Sequence, residues 1–159
     1  MNKAIQIDSI DRKIIEALQV NGRLSSQELA ERVGSSAASC WRRVRALEEA
    51  GVLQETVRLV DPVLLGRGLD VFCQIRLKSQ GRSQRAVFET FIDAQQDVVE
   101  CYSISGDWDY LLHVVAKDVA DYERVLMHGI LDHDAIASSS SIFVLRRVKH
   151  KTAIPVHDL

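Results

Sequence analysis

The chain has 159 residues, 47% of them hydrophobic and 26% charged, which excludes a disordered tail, a collagen-like repeat and a small disulfide scaffold, and leaves one ordinary domain or two small ones. The net charge of −2 excludes a general polyanion binder but is unevenly spread. Residues 1–60 carry nine Lys and Arg against eight Asp and Glu, and residues 61–159 carry eleven against fourteen. Between Arg32 and Arg45 stand four arginines and no acid, a first sign of a local basic surface. No apolar run reaches the roughly 18–20 residues of a membrane span; Leu111–Ala116 is interrupted by His113. Met1–Asp8 is polar and has no signal-peptide core, so a cytoplasmic protein without membrane contact is expected. Cys40, Cys73 and Cys101 contain no Cys-x-x-Cys pair and are predicted to be reduced core residues rather than bridges or metal ligands.

The first elements are helical. Asp8 with Asp11 forms an N-terminal cap, and Ile10, Ile14, Ala17 and Leu18 follow at helical spacing until Asn21-Gly22. Ser25-x-x-Glu28 is a capping box opening a second helix, whose Leu29, Ala30 and Val33 lead to Gly34. Ser36 caps a third, with Cys40, Val44 and Leu47 inward and Gly51 at its end. Val52–Val60 is strand-like and is expected to lead out of the bundle. Asp61-Pro62, with Gly66 and Gly68 close behind, marks a hinge.

Beyond the hinge the period changes to two. Leu69–Leu77 alternates as a strand. Residues 83–94 are predicted helical, with Ala86, Val87, Phe91 and Ala94 inward. Val98–Ser105 and Tyr110–Ala116 form a hairpin about Gly106-Asp107. A helix is expected over Asp118–Ile130, with Val119, Tyr122, Val125, Leu126 and Ile130 as its apolar stripe, and a last strand over Ile136–Val148. The β-α-β-β-α-β order is that of the ferredoxin-like split unit. The predicted class is α+β: a helix-turn-helix (winged-helix-like) domain in residues 1–60 joined to a ferredoxin-like βαββαβ domain in residues 61–159.

Helices two and three have helix-turn-helix spacing, which lays the second helix in the DNA major groove. With Cys40, Val44 and Leu47 buried, Ala38, Arg42, Arg45 and Glu49 face outward, and Trp41 and Arg43 flank them. Outward arginines suit phosphate or guanine contacts; the same face also serves as an ordinary solvated surface, and Trp41 on its flank also suits packing. At Gly106-Asp107-Trp108-Asp109, aspartates can hold an ammonium and backbone N–H groups a carboxylate. A polar hairpin turn is the simpler use of those residues. The hydroxyls of Ser138–Ser141 can serve the same site or give close approach to another surface.

The run IDSIDRKIIEALQVNGRLSSQELAERVGSS, followed by CWRRVRALEEAGVL, resembles the DNA-binding half of the leucine-responsive/AsnC regulators. SGDWDYLL and the strand ending RRVK resemble their effector-binding half, so the likeness runs from about Ile7 to Lys149. Ser35 stands where an apolar residue is usual, and Ser139 and Ser141 where threonines are common. The resemblance implies that Ser36, Ala38, Ser39, Trp41, Arg42, Arg43 and Arg45 read operator DNA. It implies that Gly106, Asp107, Trp108, Asp109, Ser139 and Ser141 bind a small amino acid. It further implies homodimers that assemble onward, often to octamers, with effector sites between dimers; a palindromic operator matches such two-fold symmetry.

Enzymatic signals are weak. His128 and His133 are five apart, which does not place them on one helical face, so no metal site is expected. His113 reads as a structural residue. No nucleophile motif occurs, and Gly66-Arg67-Gly68 lacks what a phosphate loop requires. No cofactor is implied. Two other functions stay open at this level: an enzyme resembling the sirohaem decarboxylases of the same layout, and an architectural DNA-binding protein without an effector.

Overall fold

The computed structural model describes residues 6–156. Residues 1–5 and 157–159, which hold most of the polar start and the end of the second predicted domain, lie outside the described residues. Short helices are marginal alone and depend on satisfied ends. Helix α1 (Ser9–Val20) opens on Asp8, whose carboxylate accepts from the N–H groups of Ile10 and Asp11, while Asp11 accepts from the N–H of Asp8. Helix α2 (Ser26–Val33) opens on the reciprocal Ser25–Glu28 box and closes at Gly34, whose φ of 73° is left-handed. Ser36 caps α3 (Ala37–Glu49) through the N–H of Ser39. Ile14, Leu29, Val33, Cys40 and Leu47 of the three helices meet in one buried core.

The second unit is a four-stranded antiparallel sheet in the order β2-β3-β1-β4, with β1 Leu69–Leu77, β2 Val98–Ser103, β3 Tyr110–Ala116 and β4 Ile136–Phe143. This is the expected ferredoxin-like arrangement. Val71, Cys73 and Ile75 of β1 and Tyr110, Leu112 and Val114 of β3 are buried beneath α4 (Arg82–Asp93) and α5 (Val119–Arg124). The alternate residues form the sheet's open face.

Several expectations change. Residues 52–60 pair with no strand, and no strand occurs in the first unit among the described residues, so the strand expected there is not formed. The buried residues of α4 are Phe88 and Ile92, whereas Val87 is 59% exposed and Ala86 and Ala94 are exposed. Phe88 wins the inward position by packing against the Tyr110 ring at a tilt of 47°, ring centroids 4.7 Å apart. Helix α5 passes into a π-helical turn, Val125–Ile130, closed by Leu131 N–H to the Leu126 carbonyl at 2.8 Å. That wider turn keeps Val125 and Ile130 buried, and Val119 of the expected stripe is exposed. The strands β2 and β4 end earlier than predicted, and Cys101 is exposed although Cys40 and Cys73 are core residues.

The domain boundary also changes. The chain divides into Met1–Leu59 with Lys149–Leu159, and Val60–Val148. The cause is specific: Ile154 N–H donates to Gln19 Oε1 at 2.6 Å, Gln19 Nε2 donates to the Ile154 carbonyl at 2.9 Å, and Val156 is buried in the helical core. No helix among the described residues is long and apolar enough to cross a membrane.

The corrected face of α4 is testable. Phe88→Ala should lower unfolding free energy by about 3–5 kcal/mol, the usual loss for a truncated core aromatic, while Val87→Ala should change it by under about 0.5 kcal/mol. Urea denaturation of both variants checks this.

Candidate functional site

The α2–α3 turn presents one side of α3. Ala38, Arg42 and Arg45 are exposed there, and Ser36 and Ser39 sit at its N-terminal end. Trp41 is 59% exposed and so is not a packing residue. The Arg45 guanidinium lies 5.9 Å from the Trp41 ring centroid and 3.8 Å from Glu48, leaving it loosely held. Arg43 differs. Its Nη1 donates to Asp8 Oδ2 at 2.7 Å and Asp11 Oδ1 at 2.8 Å, tying α3 to the capped start of α1. The hydrogen bond to Asp11 first, then that to Asp8, holds its guanidinium more firmly protonated. The N–H of Asp11 first, and Arg43 second, hold the Asp8 carboxyl below its ordinary 3.8. Sequence spacing did not signal this tie, because the partners are 35 and 32 residues apart.

In the sheet unit, Gly106 has φ of 112°, a conformation glycine adopts freely. Asp109 is fully engaged: its Oδ2 accepts from Leu77 N–H at 2.8 Å, its Oδ1 from Gln80 Nε2 at 2.8 Å, and its own N–H donates to the Ile75 carbonyl. Asp107 is exposed. Its carbonyl accepts from Arg76 Nε at 2.9 Å and Nη2 at 2.6 Å, and the same guanidinium stands 5.1 Å from the Trp108 ring centroid. Arg76 escaped the sequence reading; its place on the outward phase of β1 was the available signal.

Strand register separates the serines. Ser139 and Ser141 pair with Ile75 and Cys73, both fully buried, and so lie on the helix-covered face. Ser141 Oγ is 2.5 Å from the Tyr122 hydroxyl, whose burial keeps that phenol neutral well above physiological pH. Ser138 and Ser140 pair with Arg76 and Gln74 on the open face, the side on which Arg76 holds the hairpin loop. The structure therefore brings Asp107 and Trp108 together with Arg76, and does not bring Ser141 to them. His113, on the same open face, sits between Asp70 at 2.8 Å and Glu100 at 3.3 Å, stacked on Phe72. Among the described residues no three His, Cys, Asp or Glu side chains cluster as a metal site; His128 and His133 line an open groove beside α4.

A family model described as "Lrp/AsnC ligand binding domain" matches residues 70–154, and one described as "Winged helix-turn-helix DNA-binding" matches residues 7–54. The chain belongs to the Lrp/AsnC family of transcription regulators. The glutamate uptake regulatory protein of Zymomonas mobilis is 34% identical over 96% of this chain and 93% of its own length. Among solved structures, a transcriptional regulator of Neisseria meningitidis in complex with L-Met has a TM-score of 0.91 at 31% identity, covering 96% of this chain and 99% of the other. An AsnC family regulator of Agrobacterium tumefaciens has a TM-score of 0.88 at 38% identity, covering 93% and 96%. The α3 surface thus lies in the family's DNA-binding half, and the hairpin with Arg76 lies in its ligand-binding half.

The Asp8–Arg43 tie carries a pH signature. A carboxyl whose folded pKa is depressed contributes stability above its unfolded value and loses it as pH falls through the folded one. The difference in thermal midpoint between the wild type and Asp8→Asn should therefore be full at neutral pH and shrink as pH drops below 3.8. Calorimetric scans across that range check it.

Proposed function

We propose that this regulator binds a palindromic operator through Ser36, Ala38, Ser39, Trp41, Arg42 and Arg45, as a cytoplasmic homodimer that assembles further, and that it performs no catalysis. The exposure of Trp41, Arg42 and Arg45 on one side of α3 carries the reading: two cations and an aromatic ring lie on a helix face that the core does not use. Arg43 belongs instead to the scaffold that aims this face, because its ion pairs fix α3 on α1. Two-fold assembly supports the palindrome, since one helix-turn-helix makes few base contacts.

The effector in this proposal is a small amino acid held at the hairpin. Its ammonium meets the Asp107 carboxylate, and its carboxylate meets backbone N–H groups of residues 105–108, none of which donates to another backbone carbonyl among the described residues. Asp109, with both carboxylate oxygens engaged, braces the loop against β1. Ser138 and Ser140 replace Ser139 and Ser141 as the serines on the side of the loop. The Neisseria relative's complex with L-Met supports this ligand class.

Arg42→Ala and Arg45→Ala should each weaken specific DNA binding by about 1–3 kcal/mol where they contact bases; fluorescence anisotropy on a selected operator measures it, and wild-type affinity in both would end the assignment. Asp107→Asn should lower amino-acid affinity about ten- to hundredfold, the worth of one charge-assisted hydrogen bond. Isothermal titration with the amino acid that scores in a thermal-shift screen reads it. Asp109→Asn should lower the thermal midpoint even without ligand, whereas Asp107→Asn should leave it unchanged.

A further inference from the structure

Lys149, His150 and Lys151 follow the sheet unit in sequence and lie outside any helix or strand. They stand in a stretch, Ala135–His157, that contains no acid at all, with Arg146, Arg147, Lys149 and Lys151 as its cations. Arg147 is engaged by Asp70 at 3.0 Å. Lys149 and Lys151 are exposed, and neither forms an ion pair among the described residues. Ordinary solvated surfaces intersperse both signs; this stretch carries one.

The segment is also held in place. The paired hydrogen bonds between Gln19 and Ile154 and the burial of Val156 dock it on the helix-turn-helix unit. Lys151 is three residues from that anchor, within about 10 Å by chain reach. Counting this segment with the unit it docks on sharpens the charge asymmetry. Met1–Leu59 with Lys149–Leu159 holds eleven Lys and Arg against nine Asp and Glu, a net of +2; Val60–Val148 holds nine against thirteen, a net of −4. Such a distribution repels a polyanion from the sheet unit and draws it to the unit that carries α3.

We propose that Lys149, His150 and Lys151 form a docked basic strap that grips the phosphodiester backbone of duplex DNA without regard to sequence, as a second contact alongside the recognition helix. The inference rests on the DNA-binding reading of this chain and adds to it a phosphate contact supplied from the far end of the sequence. Such contacts set register and affinity while the recognition helix sets specificity.

The test is a salt titration of binding to a mixed-sequence DNA duplex, using the full-length protein. Each phosphate contact contributes about 0.9 to the slope of log affinity against log salt. The double variant Lys149→Gln/Lys151→Gln should therefore lose about 1.8 from that slope, bind several-fold more weakly at low salt, and keep the wild-type thermal midpoint. Lys149→Arg/Lys151→Arg should retain the wild-type slope, and Lys151→Gln alone should lose about half as much as the double variant. An unchanged slope in the double Gln variant, with binding to the selected operator weakened in Arg42→Ala/Arg45→Ala, overturns the strap and leaves the recognition helix standing. Slope loss in the double Gln variant with wild-type binding of the selected operator by Arg42→Ala/Arg45→Ala supports the strap and overturns the recognition-helix assignment instead.

Discussion

The central strand β1 is the constraint on which the sheet unit depends. It pairs antiparallel with β3 on one side and β4 on the other, so its two-residue alternation sorts the side chains of all three strands onto two faces. Val71, Cys73, Ile75 and Leu77 enter the core, and Ser139 and Ser141, half-buried, share their face across the ladder. Asp70, Phe72, Gln74 and Arg76 take the other phase. From there Arg76 reaches the hairpin and Asp70 reaches His113 and Arg147. A one-residue slip would exchange the two sets, burying Arg76 and exposing Ile75, at a cost no loop contact could offset.

The helical unit has a different logic. Its helices are too short to be stable alone, and each begins on a side-chain cap that satisfies free N–H groups. Burial of Ile14, Leu29, Cys40 and Leu47 joins them. The Arg43 ion pairs then fix the rotation of α3 against α1, which determines the direction in which Arg42 and Arg45 point. A cation that resembles a DNA contact in sequence is thereby part of the frame that presents the others. The two aspartates of the hairpin divide in the same way: Asp109 is consumed by β1 and Gln80, and Asp107 is left to solvent.

Charge follows the same division of labour. The unit carrying the recognition helix is positive and the sheet unit negative, so the overall −2 conceals a separation favourable to a nucleic-acid partner on the helical unit. The segment after β4 enlarges that separation by returning two lysines to the helical unit.

By itself the sequence determined what depends on neighbours a few residues apart. The caps at Asp8, Ser25 and Ser36, the left-handed stop at Gly34, the strands over Leu69–Leu77 and Tyr110–Ala116, and the ferredoxin-like order are all local or periodic signals, and they were legible. So was the outward face of α3, because a single helical period places it. Tertiary structure decided what depends on partners far apart in the chain. Phe88 displaced Val87 from the α4 core because Tyr110 offered it a ring; the π-helical turn kept Val125 and Ile130 in the core; Asp8 and Asp11 claimed Arg43. Residues 52–60 have a strand's composition but no partner strand, and backbone pairing requires one. The docking of Ile154 on Gln19, 135 residues away, lay beyond any local pattern, since a hydrogen bond between distant residues leaves no periodicity to read.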